Sequence, residues 1–225
     1  MEQVTCPPAN LDEAPGARGT HTTRSGYLSV QISTTLMSDA GIRVRRFASD
    51  HINLPVVPED TLLRHPERRA HPQCTDLVVA ALRDAAADTQ GIGRSVWGRP
   101  ISRALAGPGD IIQFGANCRY DITIHYPNGE IFTGTGRTQG PHTAIIDAVS
   151  HGHRCFTLFE QNFGAPYVTH GIWYFENFEF MDGGDRVIIT RSQGVVRFYS
   201  PAPAGIPGPP ATPRRRRPGG RPRRR

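Results

Sequence analysis

One segment of the chain has a clear helical period, and it constrains the fold more than any other feature. Between Cys74 and Asp88, apolar residues recur at the three- and four-residue spacing of one helix face, at Leu77, Val78, Ala81, Leu82 and Ala85. Pro72 lies just before this run, where the start of a helix tolerates proline. Asp76 in the first turn suits the positive end of the helix dipole. We therefore predict a helix over residues 74–88.

After this helix the sequence changes to short strands separated by turn residues. Pro127-Asn128-Gly129 separates two such runs and predicts a hairpin. One helix followed by antiparallel strands predicts an α+β domain over residues 70–200. The predicted strands are Asp110–Phe114, Tyr120–Tyr126, Glu130–Thr133, Thr143–Val149, Cys155–Gln161, Ile172–Phe180, Arg186–Arg191 and Val195–Tyr199.

The two ends of the chain have a different composition. Residues 1–25 are rich in Pro, Gly, Thr and Arg, and we expect them to be disordered. Residues 26–69 hold a loosely alternating stretch at Tyr27–Leu36, followed by scattered apolar residues and several prolines. They predict an irregular lead-in that wraps the domain. From residue 201 to residue 225, Pro, Gly and Arg dominate, and a disordered tail is expected.

The net charge of +6 belongs to that tail. All 26 basic residues are Arg, and eight of them lie within Arg214–Arg225, which leaves residues 1–213 with 18 Arg against 20 acids, or about −2. Clustered arginine neutralises phosphates, so weak contact with nucleic acid or another acidic surface is one interpretation of the tail. A solvated low-complexity end is the alternative. The Arg bias of the whole chain and the lack of aromatic residues in the tail favour it.

Several classes of protein find no support in the sequence. No run approaches the roughly 18 consecutive apolar residues of a membrane-spanning helix. The N-terminus shows neither the basic nor the apolar region of a secretory signal, so we expect a cytoplasmic protein or export by a non-classical route.

The four cysteines, Cys6, Cys74, Cys118 and Cys155, contain no Cys-x-x-Cys pair, and free thiols are expected. Ligand spacings and phosphate-binding glycine loops are absent as well, so we expect neither metal nor cofactor.

Three positions carry residues suited to thiol chemistry. Cys74 begins the predicted helix, where unpaired N–H groups and the dipole favour a thiolate. His142 follows a turn ending at Pro141 and precedes an apolar strand, which would anchor it at the mouth of a cleft. Glu160 and Asn162 end another apolar strand and would share one of its faces, where either could orient a histidine ring. This set predicts a nucleophile, a base and an orienting group.

The order of these features resembles the CHAP family of cysteine, histidine-dependent amidohydrolases/peptidases. The resemblance rests on Cys74 at a helix start, the Gly109–Phe114 strand, His142 before an apolar strand, and Glu160 with Asn162. It implies a papain-like fold, in which a helix bearing the cysteine packs on an antiparallel sheet bearing the histidine. It also implies that Cys74 is the nucleophile, with its N–H in an oxyanion hole, and that His142 is the general base and acid. Glu160 would be the orienting acid, and Asn162 would support the site or substitute for Glu160.

The resemblance implies cleavage of amide bonds, with peptidoglycan or a peptide as the substrate. Two alternatives stay open: a non-enzymatic papain-like module directed to nucleic acid or acidic partners by the Arg tail, and a toxin-like deamidase or protease acting on a protein. The chain departs from the family pattern in two places. Pro141 stands where the family usually has glycine, and an extra hairpin between Cys118 and Gly134 could border the substrate groove.

Overall fold

The computed structural model describes residues 38–89, 96–138 and 140–203. Within these ranges the chain forms the helices α1 (Asp39–Asp50), α2 (Glu59–Arg64) and α3 (Cys74–Asp84). The strands are β1 (Arg99–Ile101), β2 (Ile111–Phe114), β3 (Arg119–His125), β4 (Ile131–Arg137), β5 (His142–Ser150), β6 (Cys155–Gln161), β7 (Val168–Tyr174), β8 (Phe178–Asp182), β9 (Asp185–Gln193) and β10 (Val196–Ser200). The disorder expected at residues 1–25, the alternating stretch at 27–36 and the Arg tail lie outside the described residues.

The strands form two antiparallel sheets. The larger has the order β1-β10-β2-β5-β6-β7, and the smaller has the order β4-β3-β9-β8. Together with the helices they confirm the predicted α+β class. Among the described residues, no helix combines the length and the apolar character needed to cross a bilayer.

The larger sheet is buried on both faces. Ile111, Ile145 and Phe159 pack against α1 and α3 on one face. Their neighbours along the same strands pack against the smaller sheet on the other face. Every residue of β2 and β6 is therefore buried, in place of the alternation of buried and exposed residues seen in a sheet with one solvent face.

The predicted hairpin is confirmed as β3 and β4, and Gly129 in its turn has a φ of 88°. The prediction of a single strand over Ile172–Phe180 is wrong, because the chain leaves the larger sheet after β7 and enters the smaller one at β8. Asn177 in the break accepts a hydrogen bond from the Ser192 N–H at 2.9 Å. Only residues 175–177 separate the two strands, and aromatic residues recur on both sides of them, so periodicity does not reveal the break.

The irregular lead-in predicted for residues 26–69 is a second error, because its described part contains α1 and α2. Ser38 caps α1 by accepting a hydrogen bond from the Gly41 N–H at 3.0 Å. Val44 and Ala48 are completely buried in the core that α1 shares with α3. The helix approaches Gly109, which precedes β2, so closely that a Cβ there would lie 2.8 Å from the Cα of Gly41. The helix therefore belongs to the same packed unit as the predicted domain.

Candidate functional site

Cys74 is the first residue of α3 and is partly buried. The residue before it, Gln73, is fixed by Asp76, whose carboxylate accepts the Gln73 N–H at 2.8 Å and a hydrogen bond from Arg68 at 3.2 Å. The Cys74 sulfur accepts hydrogen bonds from the backbone N–H groups of Thr75 and of Thr143, which lies in β5. This arrangement confirms that the cysteine begins a helix and shows that the start of β5 lies directly beside it.

His142 is the first residue of β5 and is 6% exposed. Its Nε2 lies 2.9 Å from Oε2 of Glu160, and its ring also hydrogen-bonds Cys74. Since Nε2 faces Glu160, the nitrogen left for Cys74 is Nδ1. The rings of Phe114 and Phe163 lie beside the imidazole, with centroids 6.0 and 4.9 Å away. The imidazole therefore bridges the thiol and a carboxylate in surroundings that are mostly apolar.

Glu160 lies in β6 and is 3% exposed. Gly171 of the neighbouring strand β7 makes room for its carboxylate, since a Cβ at that position would lie 2.6 Å from Cδ of Glu160. A buried carboxylate requires a partner, and here the partner is His142. The structure thus brings Cys74, His142 and Glu160 together in one hydrogen-bonded chain.

The pKa values of the thiol and the imidazole shift in opposite directions. Burial alone would raise the pKa of Cys74, but the hydrogen bond and charge of His142 and the bonds from the Thr143 and Thr75 N–H groups outweigh it and lower the pKa. Burial opposes a charged His142, yet its hydrogen bonds to Cys74 and Glu160 and their charges raise its pKa to about 9. These opposite shifts favour a thiolate beside an imidazolium over a neutral thiol beside a neutral imidazole.

Two buried glutamines hold this pair in place, and neither was expected from the sequence pattern. Gln113 in β2 accepts hydrogen bonds from the Trp97 indole N–H and the Thr143 hydroxyl, each at 2.7 Å. Its amide nitrogen donates to the carbonyl of His142 at 2.9 Å. Gln113 therefore fixes the backbone at the start of β5. Its position inside an otherwise apolar strand was the available signal.

Gln161 likewise fixes the backbone near Cys74, by hydrogen bonds to two other segments of the chain. Its Oε1 accepts the Val56 N–H at 2.6 Å, and its Nε2 donates to the carbonyls of Val56 at 2.8 Å and Gln73 at 2.9 Å. Gln161 is fully buried. It ties the end of β6 both to the segment before α2 and to the residue that precedes Cys74.

Asn162 has a different position from the one expected. The strand β6 ends at Gln161, and Asn162 has a left-handed φ of 59° and is exposed. The expectation that it shares a strand face with the buried Glu160 is therefore wrong. It borders the same cavity as the other three residues, and its role stays a prediction.

A single open cavity of about 620 Å³ contains this group. Besides Cys74, His142, Glu160 and Asn162, its wall includes the end of β4, the aromatic pair Tyr120 and Trp173, and much of β7. The hairpin of β3 and β4 thus borders this cavity, and its place at a substrate groove stays a prediction. Cys118 and Cys155 are buried and form no disulfide in the described part of the chain, and burial raises the pKa of Cys118. Among the described cysteines, Cys74 alone lines the cavity.

Within the described ranges, no group of three His, Cys, Asp or Glu side chains is arranged to hold a metal ion. Comparisons with protein-family models, with curated proteins and with solved structures found no match.

Proposed function

We propose that this protein is a papain-like thiol amidohydrolase or endopeptidase, similar to the CHAP family, that cleaves an amide bond through an acyl-enzyme on Cys74. One observation carries the proposal: Cys74, His142 and Glu160 are hydrogen-bonded in that order beside an open cavity. A structural role alone would not require a polarised thiol at a cavity wall. Cysteines that serve only as small apolar residues are normally buried, as Cys118 and Cys155 are.

The reaction would proceed in two halves. The Cys74 thiolate attacks the carbonyl carbon of the amide and forms a tetrahedral oxyanion. The His142 imidazolium then gives its proton to the departing amine, the C–N bond breaks, and a thioester remains on Cys74. In the second half, neutral His142 takes a proton from water as the water oxygen attacks the thioester. Collapse of that intermediate releases the carboxylic acid and restores the thiolate and the imidazolium.

Two further groups would assist these steps. The Cys74 N–H, at the start of α3, is one of the unpaired donors at a helix N-terminus and would stabilise the oxyanion. Glu160 would keep the His142 ring oriented and stabilise its positive charge, as the carboxylate of a Ser-His-Asp triad does. Both roles depend on atoms whose positions are fixed by α3 and β6.

We propose peptidoglycan as the substrate class, on the resemblance to the CHAP family. The cavity is of a size that accommodates several residues of a peptide, within the range of roughly 300–1,000 Å³ typical of ligand sites. It is open to solvent along its rim, where Asn162 is exposed. An open groove suits a polymeric substrate.

The test is release of new amino groups from purified peptidoglycan by the full chain, comparing wild type with Cys74→Ala and, as a matched control, Cys118→Ala. We expect the Cys74 variant to lose activity by about a thousandfold or more, because removal of a nucleophile removes the covalent pathway. Cys118→Ala should retain activity. A Cys74→Ala protein with full activity would contradict the reaction. Cleavage of soluble peptides without cleavage of peptidoglycan would contradict peptidoglycan as the substrate and would support the proposed reaction.

A further inference from the structure

The strand β7 forms one edge of the larger sheet, and part of that edge is already paired. The Val168 N–H donates to the Leu54 carbonyl at 3.0 Å, and the Val168 carbonyl accepts the Asn53 N–H at 2.9 Å. Both backbone groups of Val168 therefore point outward, away from β6. In an antiparallel pair, the residues whose backbone groups point to one side alternate along the strand.

This alternation places the N–H and C=O of His170 on the same outer side. Ile172 agrees with it, since its carbonyl accepts the Tyr120 hydroxyl at 3.1 Å instead of a group of β6. In the described part of the chain, no hydrogen bond involves the outward N–H or C=O of His170. His170 and its neighbours on β7 line the cavity that holds Cys74. The open edge thus continues into the candidate active site.

We propose that the substrate of Cys74 is the main chain of an extended peptide, which adds to the edge of β7 by pairing with the N–H and C=O of His170. This inference rests on the proposed function and narrows it to a substrate class. A donor and an acceptor on one edge residue match the spacing of an extended backbone, and the two outward groups of Val168, two residues earlier, are already paired with backbone groups of residues 53 and 54. A lone side-chain amide on a folded protein offers no backbone for such pairing.

A second edge strand also lines the cavity. Residues 135–137 of β4 belong to its lining, and β4 is an edge strand of the smaller sheet. The cavity is therefore bordered by an edge strand of each sheet.

The experiment compares His170→Pro with His170→Ala in the full chain. Both variants lose the imidazole, including its contact with Asp147 at 3.4 Å. Only the proline variant loses the outward N–H. Because that N–H points away from β6, proline removes no hydrogen bond between strands, and edge strands tolerate proline at such positions. The pair isolates the backbone contact from the side chain.

The probes are acyloxymethyl ketones built on acetyl-triglycine, together with a set in which one amide at a time is N-methylated. The Cys74 thiolate displaces the carboxylate leaving group and forms a thioether, and mass spectrometry gives the rate of modification at Cys74. Main-chain pairing gives affinity without side chains, so glycine suffices. We expect N-methylation at one position to slow wild type and His170→Ala about tenfold or more. In His170→Pro, the unmethylated probe should be slowed by a similar factor.

If every N-methylated probe modifies wild-type Cys74 as fast as the unmethylated probe does, the inference is overturned, whatever the behaviour of the variants. An unchanged rate of the unmethylated probe in folded His170→Pro would overturn it as well. Iodoacetamide, which is too small to pair with the strand, separates this failure from failure of the proposed function. Slow iodoacetamide labelling of wild-type Cys74 at pH 6 would refute the activated thiol itself. Fast labelling with no effect of N-methylation would refute strand addition alone.

Discussion

At the residue scale, the position of Glu160 depends on the absence of a side chain at Gly171. The two residues lie on adjacent strands and face the same side of the sheet. Any Cβ at position 171 would overlap Oε1 of Glu160. The carboxylate would have to turn away from His142, because the backbone of β7 is held by its bonds to β6. Gly171 is therefore a positioning residue for the candidate triad.

We expect Gly171→Ala to slow labelling of Cys74 by iodoacetamide at pH 6 by about tenfold or more, since displacement of Glu160 weakens the imidazolium that stabilises the thiolate. The double variant Gly171→Ala/Glu160→Asp should recover part of the rate, because the shorter aspartate leaves space for the new methyl group. Gly140→Ala is the matched control: it borders the same cavity, and its Cβ would meet no atom within 4 Å. If Gly171→Ala labels as fast as wild type, Glu160 does not depend on the glycine.

Single residues differ in how far their sequence context predicts them. Cys74 and His142 stand next to regular elements with strong patterns, so their placement follows from local structure. Glu160 follows from the strand that carries it. Asn162 does not, because one residue in the left-handed region ends the alternation, and asparagine adopts that conformation without a marker in the sequence. Gln161 was overlooked because its partners lie far away in the chain.

At the element scale, Gln161 joins three separate segments, and its loss should destabilise the fold. Gln161→Leu keeps the approximate volume but leaves buried backbone groups of Val56 and Gln73 without their partner. Each unpaired buried group costs on the order of 1–3 kcal/mol. We expect the free energy of unfolding in urea to fall by about 2–4 kcal/mol. The exposed Gln193 offers a control, and Gln193→Leu should change the free energy of unfolding by less than about 0.5 kcal/mol. Equal effects of the two substitutions would contradict this assignment.

Helices and strands were predictable from the sequence where a pattern within the segment itself specifies them. The amphipathic period of α3 and the apolar run of β6 are local, and both were predicted. The helix α1 was missed because its three arginines mask an apolar face of small residues, and that face is recognisable only against α3. The short strand β1 was missed because it forms by pairing with β10, which lies about a hundred residues further along the chain.

At the scale of the whole molecule, the site exists because three layers meet at one end of the larger sheet. The helix layer supplies Cys74, the larger sheet supplies His142 and Glu160, and the smaller sheet closes one side of the cavity. Strand order and the separation into two sheets are decided by contacts distant in sequence. The sequence therefore predicted the α+β class and the participants, whereas the cavity and its two edge strands required the structure.

The pH dependence follows from this arrangement. The depressed pKa of Cys74 and the pKa of His142, about 9, bound a range in which thiolate and imidazolium coexist. The stabilising effect of protonated His142 on the fold is complete below its unfolded pKa of about 6.5 and is lost as the pH rises through about 9. The Cys74 thiolate also stabilises the fold, but with the opposite pH dependence: its effect is lost as the pH falls through the depressed pKa of Cys74. The ion pair should therefore persist from the depressed pKa of Cys74 up to about pH 9.

The most direct test is the rate of iodoacetamide labelling at each cysteine as a function of pH, in wild type and in His142→Ala. We predict fast labelling of Cys74 already near pH 6 in wild type. In His142→Ala, labelling of Cys74 should rise only around the ordinary thiol pKa of about 8.5. Cys118 and Cys155 should stay slow in both proteins because they are buried. Labelling of wild-type Cys74 that rises only around pH 8.5 and does not respond to His142→Ala would contradict the central claim.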